Sequence, residues 1–236
     1  VKSADELSPA ERVLKIAQLF SCFKNPDKET VLTPWKVVNM HLGDCLGGYD
    51  FYDKEHNGLV EEPRYSDNGK VTNETLNHVN AKILEINSKT GLYPLYVTYS
   101  IFRSKCKAYS GDELIAELEE KLWNETVQKN VFVICNTPMA KSITKRTLVG
   151  FKQITINAHY FDDLVNTMKN KPNQFVKRVL RPSYWKVKGT ENMKFDAVVG
   201  NPPYQLQGGS GGNNDAPIYQ HFAKAALQLQ PKYISL

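Results

Sequence analysis

The run Phe195-Asp196-Ala197-Val198-Val199-Gly200-Asn201-Pro202-Pro203-Tyr204 decides how the rest of this chain is read. Its first six residues are mostly apolar and predict a strand, and the next four stop it in a rigid, polar, aromatic corner. Two consecutive prolines fix φ, have no N–H to donate and keep the residue before each extended, so they present carbonyl oxygens outward. The side-chain oxygen of Asn201 is thereby held beside a backbone carbonyl. Such a pair of acceptors suits a flat amine. On a heteroaromatic ring the amine lone pair is delocalised into the ring, and acceptors gripping both hydrogens draw it back onto nitrogen. Tyr204 supplies a face on which the ring stacks.

Working outward, strands and helices alternate. Residues 81–87 predict a short strand and residues 95–105 a helix, and the Ser110-Gly111-Asp112-Glu113 capping box opens a second helix that runs to Gln128. Val131 to Cys135 is a strand, Thr137-Pro138 caps the next helix, and Lys152 to Asn157 is a strand. A helical region follows from Asp162. Beyond the corner, Ile218, Phe222, Ala225, Ala226 and Leu229 mark a last helix, and Lys232-Tyr233-Ile234-Ser235-Leu236 reads as a strand that has only begun. This alternation implies an α/β fold with a doubly wound, mostly parallel sheet, whose ligands bind at the carboxyl ends of the strands near the switch point. A first residue of Val1 and a last strand that reads as cut short lead to the expectation of a piece of a longer polypeptide, with the sheet truncated at its C-terminus.

Three segments are expected. Residues 1–48 form an N-terminal helical segment: Ser8-Pro9-Ala10-Glu11 is a capping box with Pro at the first helical position, and Thr33-Pro34 starts a second helix that stops at Gly47-Gly48. Residues 49–80 are polar and turn-rich, an irregular excursion of short strands or loop. Asp50, Asp53 and His56 in it read as a solvated turn rather than as metal ligands, and no metal site is expected. Residues 81–236 form the core domain. After the corner, residues 205–214 (Gln-Leu-Gln-Gly-Gly-Ser-Gly-Gly-Asn-Asn) read as a mobile lid or a plain linker.

With 236 residues, 41% hydrophobic and 23% charged, the chain can bury one good core. A formal charge of +5 suits a nucleic-acid partner, although the excess is small and reads as spread along the chain. Cys22, Cys45, Cys106 and Cys135 lie far apart in sequence, which suggests neither a disulfide framework nor a zinc site and fits a reducing cytoplasm. No apolar run approaches a membrane span and no signal peptide is visible.

Taken together, these motifs resemble the S-adenosylmethionine-dependent amino-methyltransferases, specifically their adenine-modifying DNA branch, whose signature is Asn/Asp-Pro-Pro-Tyr/Phe after a strand. The resemblance covers residues 29–236 and implies a Rossmann-like methyltransferase fold. It also implies that Asn201 and the Pro202 carbonyl bind the target amine, with Pro203 completing the corner and Tyr204 as the stacking platform. On the cofactor side it assigns Thr33 and Pro34 to the methionine end. In the loop after the first strand, Leu84-Glu85-Ile86-Asn87-Ser88-Lys89-Thr90-Gly91, Glu85 stands at the acidic position, Gly91 at the last glycine and Asn87 between them. Ile86 and Lys89 depart from the usual Pro and first Gly. At the second strand end, where a carboxylate normally takes the ribose hydroxyls, the chain has Cys135 or Asn136, and Asn136 can still accept one hydrogen bond. After the third strand, Asp162 and Asp163 are the candidates for the cofactor's adenine amine, with Asp162 favoured.

The activity so implied is transfer of methyl from S-adenosylmethionine to the N6 amine of an adenine flipped out of double-stranded DNA, by the catalytic domain of a restriction-modification enzyme. The remaining partners would be the rest of the polypeptide, a recognition domain with or without a nuclease, without which the 236-residue piece is expected to be inactive. Two alternatives stay open. One is a nucleic-acid-binding or scaffolding module with a degraded cofactor pocket; the other is a methyltransferase acting on an RNA guanine or a protein glutamine.

Overall fold

The N-terminal helices begin where their caps place them. Ser8 donates from its backbone N (3.2 Å) and its Oγ (2.6 Å) to Glu11 Oε2, and Pro9 takes the first position of α1 (Pro9–Ser21). Pro34 precedes α2 (Trp35–Leu46), which Gly47 ends at φ 75°. The polar stretch that follows folds as an antiparallel hairpin, β1 (Gly48–Tyr52) with β2 (Leu59–Ser66), and then the short α3 (Lys70–Glu74). The structure is a computed structural model and describes residues 2–23, 32–109, 114–189, 191–203 and 217–236.

Asp50, expected in a solvated turn, is instead 1% exposed. Its neighbours Tyr49 and Phe51 are buried as well, so β1 is covered on both faces and a carboxylate there has to be partnered. It accepts from His56 Nε2 (3.0 Å), a guanidinium nitrogen of Arg64 (3.2 Å) and the Tyr52 backbone N (2.9 Å). Asp53 does hold the turn, accepting from the backbone N of Asn57 and of Gly58.

The rest of the chain alternates: β3 (Ile83–Ser88), α4 (Leu92–Cys106), α5 (Ala116–Lys129), β4 (Val131–Cys135), α6 (Pro138–Val149), β5 (Asn157–Tyr160), α7 (Leu164–Asn170), α8 (Pro172–Val179), β6 (Ala197–Gly200), α9 (Tyr219–Gln228) and β7 (Tyr233–Ser235). The strands form one parallel sheet in the order β5-β4-β3-β6-β7, flanked by helices on both faces, as in Rossmann-like methyltransferases. Leu84 is level with Phe132 on one side and Val198 on the other. From β3 the chain winds outward through β4 to β5 and then returns to β6, which makes the β3/β6 boundary the switch point.

Alternation along the strands separates two cores. Ile83, Val133 and Val199 face α1, α2, α4 and α5. Leu84, Ile86, Phe132 and Val198 face α7, α8 and α9 through Met168, Phe175 and Phe222. Within α4 only Arg103 and Lys105 are not buried, and a helix apolar all round is one enclosed on every side.

Some boundaries differ from the sequence expectation. The strand expected over 152–157 forms at Asn157–Tyr160, where residues 157–160 pair with Phe132 to Cys135. Ile154 and Ile156 alternate because they pack against the core from a loop, not because they sit in a ladder. The helix expected from residue 95 starts at Leu92 and carries Pro94 in its first turn, where no N–H is required. The expected capping box at 110–113, the lid at 205–214 and Tyr204 lie outside the described residues.

His41 ties three elements together. Its Nδ1 lies 2.7 Å from Tyr93 Oη on α4 and its Nε2 lies 2.7 Å from Ser235 Oγ on β7. Burial holds the imidazole below its ordinary pKa, against the opposing charge of Asp44, so it stays neutral and serves each hydroxyl through one nitrogen. Replacing it by Leu leaves buried hydroxyls without that partner; we expect His41→Leu to cost about 1 to 3 kcal/mol, read as a lower denaturation midpoint with unchanged slope.

Candidate active site at the carboxyl ends of β3 and β6

β6 reaches the site through Gly200, which pairs with Ile86. A Cβ on Gly200 would lie 2.4 Å from the Ile86 carbonyl oxygen, so only glycine lets the two strands run this close up to the corner. Asn201 follows, half-buried, then buried Pro202 and half-buried Pro203. Asn201 Nδ2 donates to Thr33 Oγ1 at 3.0 Å, and its backbone carbonyl accepts from Asn87 Nδ2 at 3.0 Å. With the amide nitrogen committed to Thr33, the side-chain oxygen is turned the other way as an acceptor.

Asn87 can play this part because, next to last in β3 where the ladder shifts register, it takes the left-handed region, φ 74°, which Asn tolerates better than most residues. Gly91 at φ 79° then opens α4, and a Cβ there would come within 3.0 Å of the Thr144 Cα. Thr33, Glu85, Asn87, Lys89, Thr90, Leu92, Tyr93 and Asn201 therefore line one cleft. It encloses only about 10 Å³, room for about one water. A cavity of about 540 Å³ adjoins it across Thr33, Thr90 and Leu92, with Phe20, Trp35 and Tyr52 in its wall. That cavity has the size of a small-molecule site, whereas the cleft holds the polar groups.

Glu85 is 4% exposed in the middle of β3, and its Oε2 has no hydrogen-bond partner. Desolvation pushes its pKa up to about 8, outweighing a hydrogen bond with Ser88 and the charge of Lys89. An orphaned acidic oxygen facing a cleft fits a cationic or hydrogen-donating group of a ligand.

The other expected cofactor residues sit at neighbouring strand ends. Asn136 is half-buried, and its backbone N donates to the Ser88 carbonyl, stitching β4 to β3 where the ladder shifts register. Cys135 is fully buried, and its thiol donates to Thr144 Oγ1. Burial pushes the Cys135 pKa up to about 12, which leaves Asn136 as the ligand-facing candidate of the two. Asp163, at φ 51°, caps α7 by accepting from the Asn166 N at 3.1 Å, while Asp162 is exposed beside the end of β5. Pro34 is exposed at the start of α2.

Two features were not anticipated. Tyr93 forms part of the cleft wall and is held by His41; Ser88 Oγ reaches Thr144 Oγ1 at 3.2 Å, tying β3 to α6. Among the described residues no three His, Cys, Asp or Glu side chains gather as a metal site.

Residues 129–236 match the family described as Eco57I restriction-modification methylase. This span runs from the last residue of α5 through β7 and contains the Asn-Pro-Pro-Tyr corner. Over these residues the chain resembles restriction-modification methylases in sequence. A stretch of 46 residues is 52% identical to a Mycoplasma pneumoniae protein named an uncharacterized adenine-specific methylase, covering 19% of this chain and 11% of that protein. Among the described residues no helix is long and apolar enough to cross a membrane.

The native Glu85 carboxyl keeps its proton up to about pH 8, whereas an unfolded chain gives it up near 4.5. Between those values the native state binds the extra proton, so this residue makes stability fall as pH rises. Melting temperature should fall less between pH 6 and pH 8.5 in Glu85→Gln than in the unmodified chain, so that the advantage of the variant is larger at the higher pH; an equal advantage at both would contradict the raised pKa.

Proposed function

We propose that this chain carries the methyl-transfer site of an S-adenosylmethionine-dependent DNA adenine-N6 methyltransferase from a restriction-modification system. The observation that supports this most directly is Asn201 at the switch point, its amide nitrogen on Thr33 and its main chain on Asn87, which leaves the side-chain oxygen as an acceptor ahead of Pro202. S-adenosylmethionine, when bound, supplies an electrophilic methyl group. Glu85 and Asn87 at the end of β3, Thr33 and Pro34 from the N-terminal segment, Gly91, Asn136 and one of Asp162 and Asp163 would hold it. The buried Glu85 carboxyl, neutral to about pH 8 on its own, would ionise beside the cationic methionine end and so suit it.

Asn201 Oδ1 and the Pro202 carbonyl would accept the two hydrogens of the adenine amine, raising electron density on nitrogen and aiming it in line with the methyl carbon. Taking up that methyl would leave the amine nitrogen cationic. The same two oxygens stabilise that charge, and one proton then passes to water. Tyr204 and Pro203 complete the corner in this reading, with the base flipped out of the duplex. DNA, the remainder of the polypeptide and a cytoplasmic location belong to the same proposal, as does the division into residues 1–48, 49–80 and 81–236.

The test is Asn201→Ala in the polypeptide that contains this chain, with labelled methyl donor and duplex DNA. The rate should fall by about a hundredfold to a thousandfold, the range for one polar group acting on a transition state, while donor binding by calorimetry stays nearly constant. Wild-type turnover in this variant rules out the assignment.

A second reading, a nucleic-acid-binding module with a degraded cofactor pocket, draws support from the narrowness of the cleft and from the lack of an acidic residue at 136. Calorimetry separates the two. On the methyltransferase reading, Asn136→Asp adds a charged acceptor for a ribose hydroxyl and tightens donor binding by about 1 to 2 kcal/mol, and Glu85→Ala weakens it. No binding by the unmodified chain or by Asn136→Asp favours the module.

A further inference from the structure

The positive charge of this chain is not evenly distributed. Residues 138–188 hold eleven Lys and Arg against two Asp, a net of +9, so the remaining residues carry −4 of the total of +5. Seven of the eleven, Lys169, Lys171, Lys177, Arg178, Arg181, Lys186 and Lys188, are exposed on α7, α8 and the 3-10 turn Pro182–Trp185 with its flanks. The inward sides of these elements are apolar: Leu164, Met168, Phe175, Val176, Val179 and Trp185 enter the core beneath the sheet. Among the described residues none of the seven forms a salt bridge. The fold thus holds like charges together on one face at a cost in self-repulsion that no salt bridge among the described residues offsets.

This face lies by the functional end of the sheet. The Arg178 guanidinium sits 5.2 Å over the ring of Phe161, the residue that follows β5. Lys141, in the first turn of α6, follows the carboxyl end of β4. His159 on β5, stacked on Tyr184 at 4.0 Å, is held below its ordinary pKa first by burial and then by Lys141, Lys186 and Arg178, which brings cations from three elements to one locality. β5 and β6 are three strand positions apart in the sheet, about 14 Å at the usual spacing. That span corresponds to about four base-pair steps of a duplex at ~3.4 Å of rise each along the helix axis.

We propose that the α7–α8 face is a docking surface for the phosphate backbone of duplex DNA next to the target base. The cations are spread over successive elements instead of converging on a cavity, which suits an extended polyanion better than a small anion. The choice of DNA rests on the methyltransferase reading above.

The test measures anisotropy of a labelled duplex of about 20 base pairs with the 236-residue chain, across about 20 to 200 mM salt. One variant changes Lys171, Lys177, Arg181 and Lys188 to Gln, sparing Arg178 because it packs on Phe161. A control variant removes the same charge elsewhere, at exposed Lys15, Lys54, Lys121 and Lys129. The first should make the slope of log affinity against log salt shallower by about 3 to 4, at ~0.9 per lost phosphate contact, and weaken binding at low salt more than tenfold; the control should keep the slope. Equal losses in both variants, an unchanged slope in the first, or preference for polyglutamate over the duplex overturns the proposal. Calorimetry with S-adenosylmethionine reports separately: absent donor binding with the expected salt slopes sinks the methyltransferase reading and leaves the polyanion surface standing.

Discussion

Strand β3 is hydrogen-bonded along both edges, to β4 and to β6, and the candidate site is arranged around that constraint. A central strand has no solvent side. Glu85, level with Val133 and Val199, therefore sits in a low-dielectric layer and keeps its proton to about pH 8, whereas an exposed Glu would ionise near 4.5. The same pairing brings Gly200 against Ile86 and so sets how near Asn201 comes to Asn87. Without the β3/β6 contact, an acidic residue in an apolar run and a proline corner would be unrelated features a hundred residues apart.

The N-terminal segment takes part in the corner through one atom pair. Thr33 precedes α2 and accepts from Asn201, so the orientation of the Asn201 amide depends on a residue far from it in sequence. The resemblance implies that Thr33 lines the methionine end of a cofactor, and both uses are compatible, since a hydroxyl that accepts through one lone pair still has a proton to donate. His41 acts similarly in α2, linking the Tyr93 wall of the cleft to β7. Together these contacts make the helices ahead of the sheet part of the site's scaffold.

Burial of charge follows two different solutions here. Asp50 is enclosed with His56 and Arg64 around it, so its ionised form is partnered and the hairpin is held in register. Glu85 is enclosed with one oxygen unpartnered. A buried ion pair adds little net stability but is costly to break from one side, so Asp50 belongs to architecture, whereas the unpartnered Glu85 belongs to a place where a ligand would complete the bonding.

Much of the fold was legible in the sequence because its signals are local. The apolar runs 131–135 and 195–199, the caps at Ser8 and Thr137, and the alternation of strand and helix all depend on near neighbours, and the proline corner restricts its own backbone. Averaging over the whole chain hid the charge asymmetry, which becomes a surface only when α7 and α8 turn their apolar sides inward. Three things were decided by tertiary structure alone. Ile154 and Ile156 carry a strand-like pattern but lie in a loop, because ladder pairing goes to whichever residues stand opposite β4. Asp50 looks like a turn residue and is buried, because what covers β1 comes from other elements. Asn201 meets Thr33, 168 residues away, because the N-terminal segment docks at this end of the sheet, and it meets Asn87, 114 residues away, because strand order sets β6 beside β3; nothing in the local sequence encodes which strand ends will lie side by side.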